Sequence, residues 1–318
     1  LTKYDTLTGN YQSRLQSEIN LGHFKTANNL LIAVENISIL KTGEKPEWGD
    51  NPFKTEIIQF LSEAGTIEMT EKPSLSATSI QTFNTCPLKY RYRYLDKIPG
   101  APEKPYFQLG KVIHKVLEIF HEENYQSYDD LLMLLDKYWQ EGGYQYEQEK
   151  DQSRQDAEAM LKNYWEYIQI NPVDTLYTEH WFSFETEYAT LSGKCDRIDL
   201  DENGNLSIVD YKTSKTSKTE RQLKKDIQLG IYALFASLQG VEIADNNQVK
   251  KIPEKLSMMF IREENPEVSV ELTHDDLDQF EENIKATSDG IKKGEFVPSK
   301  GMHCDYCDYK ELLCPLFG

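Results

Sequence analysis

The spacing of apolar positions changes twice along this chain. Residues 1–74 carry helical periodicity, through Leu15–Leu40 and again through Phe53–Leu61, with a polar loop holding Gly43, Pro46, Gly49 and Pro52 between them. At Leu75 a second pattern begins. Ser76 stands where it can cap a helix carrying Ile80, Phe83, Leu88 and Tyr92, and Cys86-Pro87 interrupts that helix because Pro87 has no amide proton to donate. Val112, Ile113, Val116, Leu117 and Phe120 then form one helical stripe, and two more helices are predicted over Tyr128–Trp139 and Tyr146–Ile168. The period then falls to two, which predicts a meander of three strands, Leu176–Tyr188, Thr190–Leu200 and Asn205–Lys212. Beyond it come a helix with Gln228 and Tyr232 on one face, strands over Leu256–Arg262 and Val268–Leu272, and a mostly polar helix over Asp275–Lys293.

The meander contains the first candidate chemistry, in GKCDRIDLDENGNLSIVDYK (193–212). A two-residue Asn-Gly loop would turn the two apolar rows of this hairpin to opposite sides. A three-residue loop with Gly204 in the left-handed conformation instead pairs Leu200 with Leu206 and Ile198 with Ile208. It also sets Asp196 opposite Asp210, with Cβ atoms about 4.5–5.5 Å apart. Two carboxylates and Lys212 at the end of an apolar strand face are costly to bury without a compensating ion, and carboxylate oxygens suit Mg²⁺ or Mn²⁺. A surface hairpin with ordinary acidic residues would explain one Asp, but a register-matched pair followed by lysine less well.

Composition limits the partners. The chain has 318 residues and a formal net charge of −18, from 53 acidic against 35 basic side chains, so it is not a basic nucleic-acid coat. A localised basic groove is still compatible with that charge. Lys215, Lys218, Arg221, Lys224 and Lys225 make the densest basic stretch, immediately after Lys212. Lys89, Arg91 and Arg93 alternate with Tyr90, Tyr92 and Tyr94, a pattern that either stacks on bases or turns its tyrosines inward. His114 follows Gly110 by one helical turn, so a small residue leaves room beside the imidazole. No apolar run reaches the length of a membrane span and no secretory signal is visible, which predicts a cytoplasmic protein. The first residue is Leu, as expected of a fragment or processed chain.

Five cysteines without a secretion signal are a poor disulfide framework. Cys304, Cys307 and Cys314 cluster near the end and need a fourth ligand for a closed site. His303 can supply it locally, giving a zinc-binding interaction module, or Cys86 from far away, giving four thiolates. Cys195 is left as a packed thiol.

Taken together, these motifs resemble the RecB-like branch of the PD-(D/E)XK nuclease superfamily, specifically its iron–sulfur, AddB-type members and the nuclease module of UvrD-like helicases. The resemblance covers Leu75–Gly318, beginning at LSATSIQTFNTCPLKYRYRY, and leaves residues 1–74 as a helical segment, either an appendage or the remainder of a preceding helicase domain. It implies an α/β restriction-endonuclease-like core, a small mixed central sheet flanked by helices, with a helical insertion over about 127–170 and a C-terminal cysteine clamp. It makes His114, Asp196 and Asp210 ligands of Mg²⁺ or Mn²⁺, adds the Tyr211 backbone carbonyl, and makes Lys212 catalytic beside Asp196 and Asp210. Gln228 and Tyr232 fall on the Q-x-x-x-Y motif beside the active site and the DNA. Glu179 to Phe182 matches an upstream E-x-x-F of less settled role. Cys86, Cys304, Cys307 and Cys314 become ligands of a [4Fe–4S] cluster. Cys195 replaces the Pro of the superfamily name, as is normal in this branch, and the last cysteine spacing is six where five is commoner. The expected function is a metal-dependent deoxyribonuclease, an exonuclease acting in repair or recombination on single-stranded or unwound DNA ends, fused or bound to a helicase. The rivals are a non-cleaving DNA-end-binding scaffold and a free-standing CRISPR-associated-type exonuclease.

Overall fold

The computed structural model describes residues 3–62, 71–100, 105–140, 144, 146–243, 247–311 and 313–317. The chain packs as two compact units, one of Leu1–Pro73, Thr78–Pro102 and Ala286–Gly318, the other of Ser74–Ala77 and Glu103–Lys285. Among the described residues no helix is long and apolar enough to cross a membrane.

The first unit is helical. Helices α1 (Lys3–Asn20), α2 (Phe24–Lys41) and α3 (Lys54–Ser62) bury Leu30, Ile37, Leu40, Ile57 and Leu61 in one core with Leu88, Tyr92, Tyr309 and Leu313. After α4 (Ala77–Thr85), Cys86 is extended and Pro87 opens the short α5 (Pro87–Tyr90) at a position where its missing N–H is harmless. The tyrosines of the alternating stretch face inward. Tyr90 and Tyr92 are buried, and the Tyr92 hydroxyl donates to the Leu313 carbonyl at 2.8 Å. Arg91 is fully buried and pairs with Asp96 at 3.3 Å, so this arginine is turned away from any nucleic acid. A wide helical turn over Arg91–Leu95 shifts the alternation that the sequence suggested.

The second unit is built on a mixed sheet. β1 (Ser74–Leu75) lies parallel to β3 (Thr190–Leu200), which runs antiparallel to both β2 (Thr175–Glu185) and β4 (Leu206–Lys212). A second, two-stranded sheet joins β5 (Val241–Ile243) to β6 (Asn247–Val249). β4 continues parallel to β7 (Lys255–Phe260), which pairs antiparallel with β8 (Glu267–Val270). Helices α6 (Pro105–Glu122), α7 (Tyr128–Tyr138) and α8 (Glu147–Ile170) cover one face, packing on Val209, Tyr211, Met259 and Ile261. The short α9 (Glu220–Leu223) leads into α10 (Ile227–Leu234) on the other face, where Phe182 stacks on Phe235 at 4.3 Å. The last long helix among the described residues is α11 (His274–Lys292).

The hairpin register is the one that parity requires. Leu200 pairs with Leu206 and Ile198 with Ile208, and Gly204 has φ +76°. The Asp201 amide donates to the Asn205 carbonyl at 3.1 Å, which leaves three residues in the loop. On its other edge β3 is unusual. β1 pairs with Thr190 and Leu191, β4 with 197–200, and among the described residues 192–196 have no strand neighbour between them.

Beneath the sheet, on the α6–α8 side, runs a buried polar chain. Arg197 is 2% exposed and donates to the hydroxyls of Tyr164 (2.8 Å) and Tyr211 (3.0 Å), while its Nε pairs with Asp199 at 2.9 Å. His121 sits within hydrogen-bonding reach of Tyr164 and of Thr175. Burial, and then the Arg197 charge, hold the His121 imidazole down at about 3. The unfolded chain therefore binds this proton more readily, so stability falls as pH drops from about 6.5 towards 3.

Two predictions follow from this packing. Gly193 lies opposite Phe182, and a Cβ added there would meet the Phe182 Cζ at 2.6 Å. Gly193→Ala is expected to cost about 1–3 kcal/mol, read as a lower urea midpoint with an unchanged slope. His121→Gln is expected to lack about 2 kcal/mol of the parent's stability loss between pH 6.5 and 5, measured by urea unfolding at both pH values. Identical acid limbs for parent and variant would refute the second.

Candidate active site

Five elements of the second unit place the seven side chains of the site. β3 supplies Asp196, β4 supplies Asp210 and Lys212, α6 supplies His114, α10 supplies Gln228 and Tyr232, and β2 supplies Glu179. His114 lies on a helix covering the sheet face opposite α10. It reaches Asp196, Nδ1 to Oδ1 3.4 Å, where β3 lacks a strand neighbour. The other Asp196 oxygen accepts the Tyr211 amide at 2.7 Å, so a side chain holds a backbone donor where the β3–β4 pairing ends.

Glu179 is the residue whose weight the sequence understated. The β2–β3 ladder pairs Thr178 with Arg197 and His180 with Cys195, and Glu179 falls between them, opposite Asp196. Its φ is +47°, a left-handed conformation that is uncommon for a non-glycine residue and costly within a strand. The Glu179 carboxylate lies 3.8 Å from His114 and pairs with Lys194. The signal was in the spacing. Glu179 and Phe182 are three apart, as are Gly193 and Asp196. In the antiparallel register Phe182 faces Gly193 while Glu179 falls opposite Asp196, so E-x-x-F and G-x-x-D are two halves of one cross-strand arrangement.

Among the described residues His114, Glu179 and Asp196 form a group whose ligand atoms all lie within 4.8 Å of one another. One imidazole and two carboxylates make a donor set suited to a hard divalent cation. Asp210 stands beside this group rather than in it. Its carboxylate is 2% exposed, pairs with Lys212 at 2.5 Å, and accepts from Gln228 at 2.6 Å and the Tyr232 hydroxyl at 3.2 Å. Burial first, then repulsion from Asp196, push its carboxyl up to about 6. Burial opposes the charged imidazole of His114, but the hydrogen bond and charge of Asp196 raise it above the ordinary histidine range.

Gln228 acts as a clamp. Its amide nitrogen donates to Asp210 while its carbonyl oxygen accepts from Lys212 at 3.0 Å, which fixes both members of that ion pair. Tyr232 reaches from Asp210 to the Lys194 carbonyl, 2.8 Å away. The Tyr211 phenol is buried on the opposite face among α6–α8. Gly110 has a different reason from the one its spacing suggested. A Cβ there would approach the Thr213 hydroxyl at 3.2 Å, so the glycine admits the end of β4's extension rather than the imidazole of His114.

The four clamp cysteines all belong to the first unit. Cys86 is buried and Cys307 packs against the same core. Burial raises the Cys314 thiol, as does the proximity of Cys307, Cys86 and Cys304. His303 Nε2 lies 3.7 Å from the Cys304 sulfur. Cys195 is fully buried in the sheet, as expected of a packed thiol.

Comparison with solved structures places a protein from Eubacterium rectale, named as a candidate exonuclease, at a TM-score of 0.46 and 13% identity, covering 83% of this chain and 92% of that one. The protein SSO0001 gives a TM-score of 0.38 and 16% identity over 84% of this chain and 95% of that one. No curated protein sequence matches. The family model described as the PD-(D/E)XK nuclease superfamily matches residues 74–315, the stretch that carries the whole sheet and every residue of the site described above, and the chain belongs to that superfamily.

Proposed function

We propose that this chain is a Mg²⁺- or Mn²⁺-dependent deoxyribonuclease, and that it works as an exonuclease module on single-stranded or unwound DNA ends delivered by a helicase. The observation that carries the nuclease reading is the His114–Glu179–Asp196 group beside the Asp210–Lys212 ion pair. A divalent cation bound there would polarise the phosphoryl oxygen and lower the pKa of a bound water. His114, Glu179 and Asp196 would hold it, with Asp210 next to them. Lys212, kept charged by Asp210 and aimed by Gln228, stabilises negative charge developing at the scissile phosphate. Lys215, Arg221 and Lys225 are exposed just after β4 and offer phosphate contacts within an otherwise acidic chain. The order of motifs along the sequence supports the assignment to a helicase-linked exonuclease in repair or recombination.

Within the same reading, Cys86, Cys304, Cys307 and Cys314 ligate an iron–sulfur cluster with a structural role. Thiolates suit both zinc and iron–sulfur units.

Asp196→Asn is expected to lower Mg²⁺- or Mn²⁺-dependent digestion of end-labelled single-stranded DNA by more than about a hundredfold, beyond the loss usual for residues that only support a ligand. Digestion by this variant at the parent's rate would sink the nuclease assignment. Anaerobically purified protein is expected to contain iron and acid-labile sulfide; zinc without iron would overturn the cluster.

A further inference from the structure

Every carboxylate of the site has a basic side chain beside it. Asp210 has Lys212, Asp196 has His114, and Glu179 has Lys194. The three basic groups are held with unequal firmness. Lys212 is half-buried and donates to Gln228 as well as pairing with Asp210. His114 is carried on a packed helix between two carboxylates. The Lys194 side chain is 48% exposed, and among the described residues its ammonium pairs with Glu179 alone.

The backbone of Lys194 is nevertheless fixed. Its carbonyl accepts the Tyr232 hydroxyl, and it sits two residues before Asp196 on β3. The result is an exposed charge on an anchored backbone, at the stretch of β3 where, among the described residues, no strand closes the edge. Lysine suits such a position, because its charge is compact and its four-carbon stem is flexible.

Glu179 cannot serve two cations equally. One of its oxygens faces His114 and the other is taken by Lys194. A divalent cation drawing on Glu179 competes with the ammonium for the same carboxylate, and the two positive charges repel. Of the site's ammonium groups, Lys194 is the exposed one with no second partner to hold it. Displaced, its half-exposed side chain can carry the ammonium into solvent.

We infer that Lys194 is an exchangeable counter-charge: it neutralises Glu179 until a divalent cation binds, then releases it and pairs with a phosphate of the nucleic-acid substrate. This rests on the metal-dependent nuclease reading above and adds a substrate-positioning residue to it. The consequence is a pair of effects with opposite signs, which a purely structural lysine would not give.

The test uses the full chain with Mn²⁺ alone, followed by calorimetry, and separately a labelled single-stranded oligonucleotide digested across a salt series. Lys194→Ala and the stem-preserving Lys194→Met are expected to bind Mn²⁺ several-fold more tightly than the parent. The same variants are expected to show a several-fold higher KM and a salt dependence of kcat/KM shallower by about one unit of slope. Lys194→Arg is expected to restore the slope. Mn²⁺ affinity that is unchanged or weaker in both Lys194→Ala and Lys194→Met overturns the exchange, and an unchanged salt slope overturns the phosphate contact. A parent protein that binds no Mn²⁺ removes the nuclease reading and this inference together, whereas a parent that binds it with no gain in the variants removes this inference only.

Discussion

Three carboxylates held side by side repel one another, and the second unit is arranged around that repulsion. Glu179, Asp196 and Asp210 come from three consecutive strands, and the antiparallel order of those strands brings them together. The cost shows at Asp210, whose carboxyl is raised by burial and then by repulsion from Asp196. Basic side chains answer them one for one, and an amide, a glutamine and a tyrosine fix the remaining oxygens. The same crowding makes the His114–Glu179–Asp196 group a candidate seat for a doubly charged ion.

The opposite face of the sheet solves a different problem. Arg197, next in the chain to Asp196, points to the α6–α8 side and is buried there with two tyrosine hydroxyls and Asp199. Neighbouring residues of one strand therefore enter two polar systems. One is partly exposed through His114 and Lys212, the other sealed beneath helices. Tyr211 joins them: its amide supports Asp196 while its ring and hydroxyl belong to the sealed network.

Much of this was legible in the chain. Hairpin parity follows from counting, because only a three-residue loop with Gly204 keeps Leu206 and Ile208 on the side of Leu200 and Ile198. The long helices followed their apolar stripes, and Cys86-Pro87 ended α4 where a missing amide proton requires it. What escaped did so for physical reasons. Glu179 adopts a left-handed backbone within a strand, so strand alternation says nothing of where its carboxylate goes. β1 is two residues long and has no period to detect. Arg91 carries the residue type of a solvated face, yet the wide turn it opens carries it inside. The partner of Gly110 is a hydroxyl about a hundred residues away, which no local pattern records.

The interrupted edge of β3 has one more consequence. A bare strand edge ordinarily invites a foreign strand to add on, and proteins blunt such edges with charge, bulges or covering elements. Here the bare stretch, 192–196, lies inside the sheet, with β1 closing one end and β4 the other. An incoming strand could not extend along it in either direction, and the Lys194 carbonyl within it is already taken by Tyr232. The opening that admits His114 to the carboxylates is thus too short and too well bounded to nucleate aggregation.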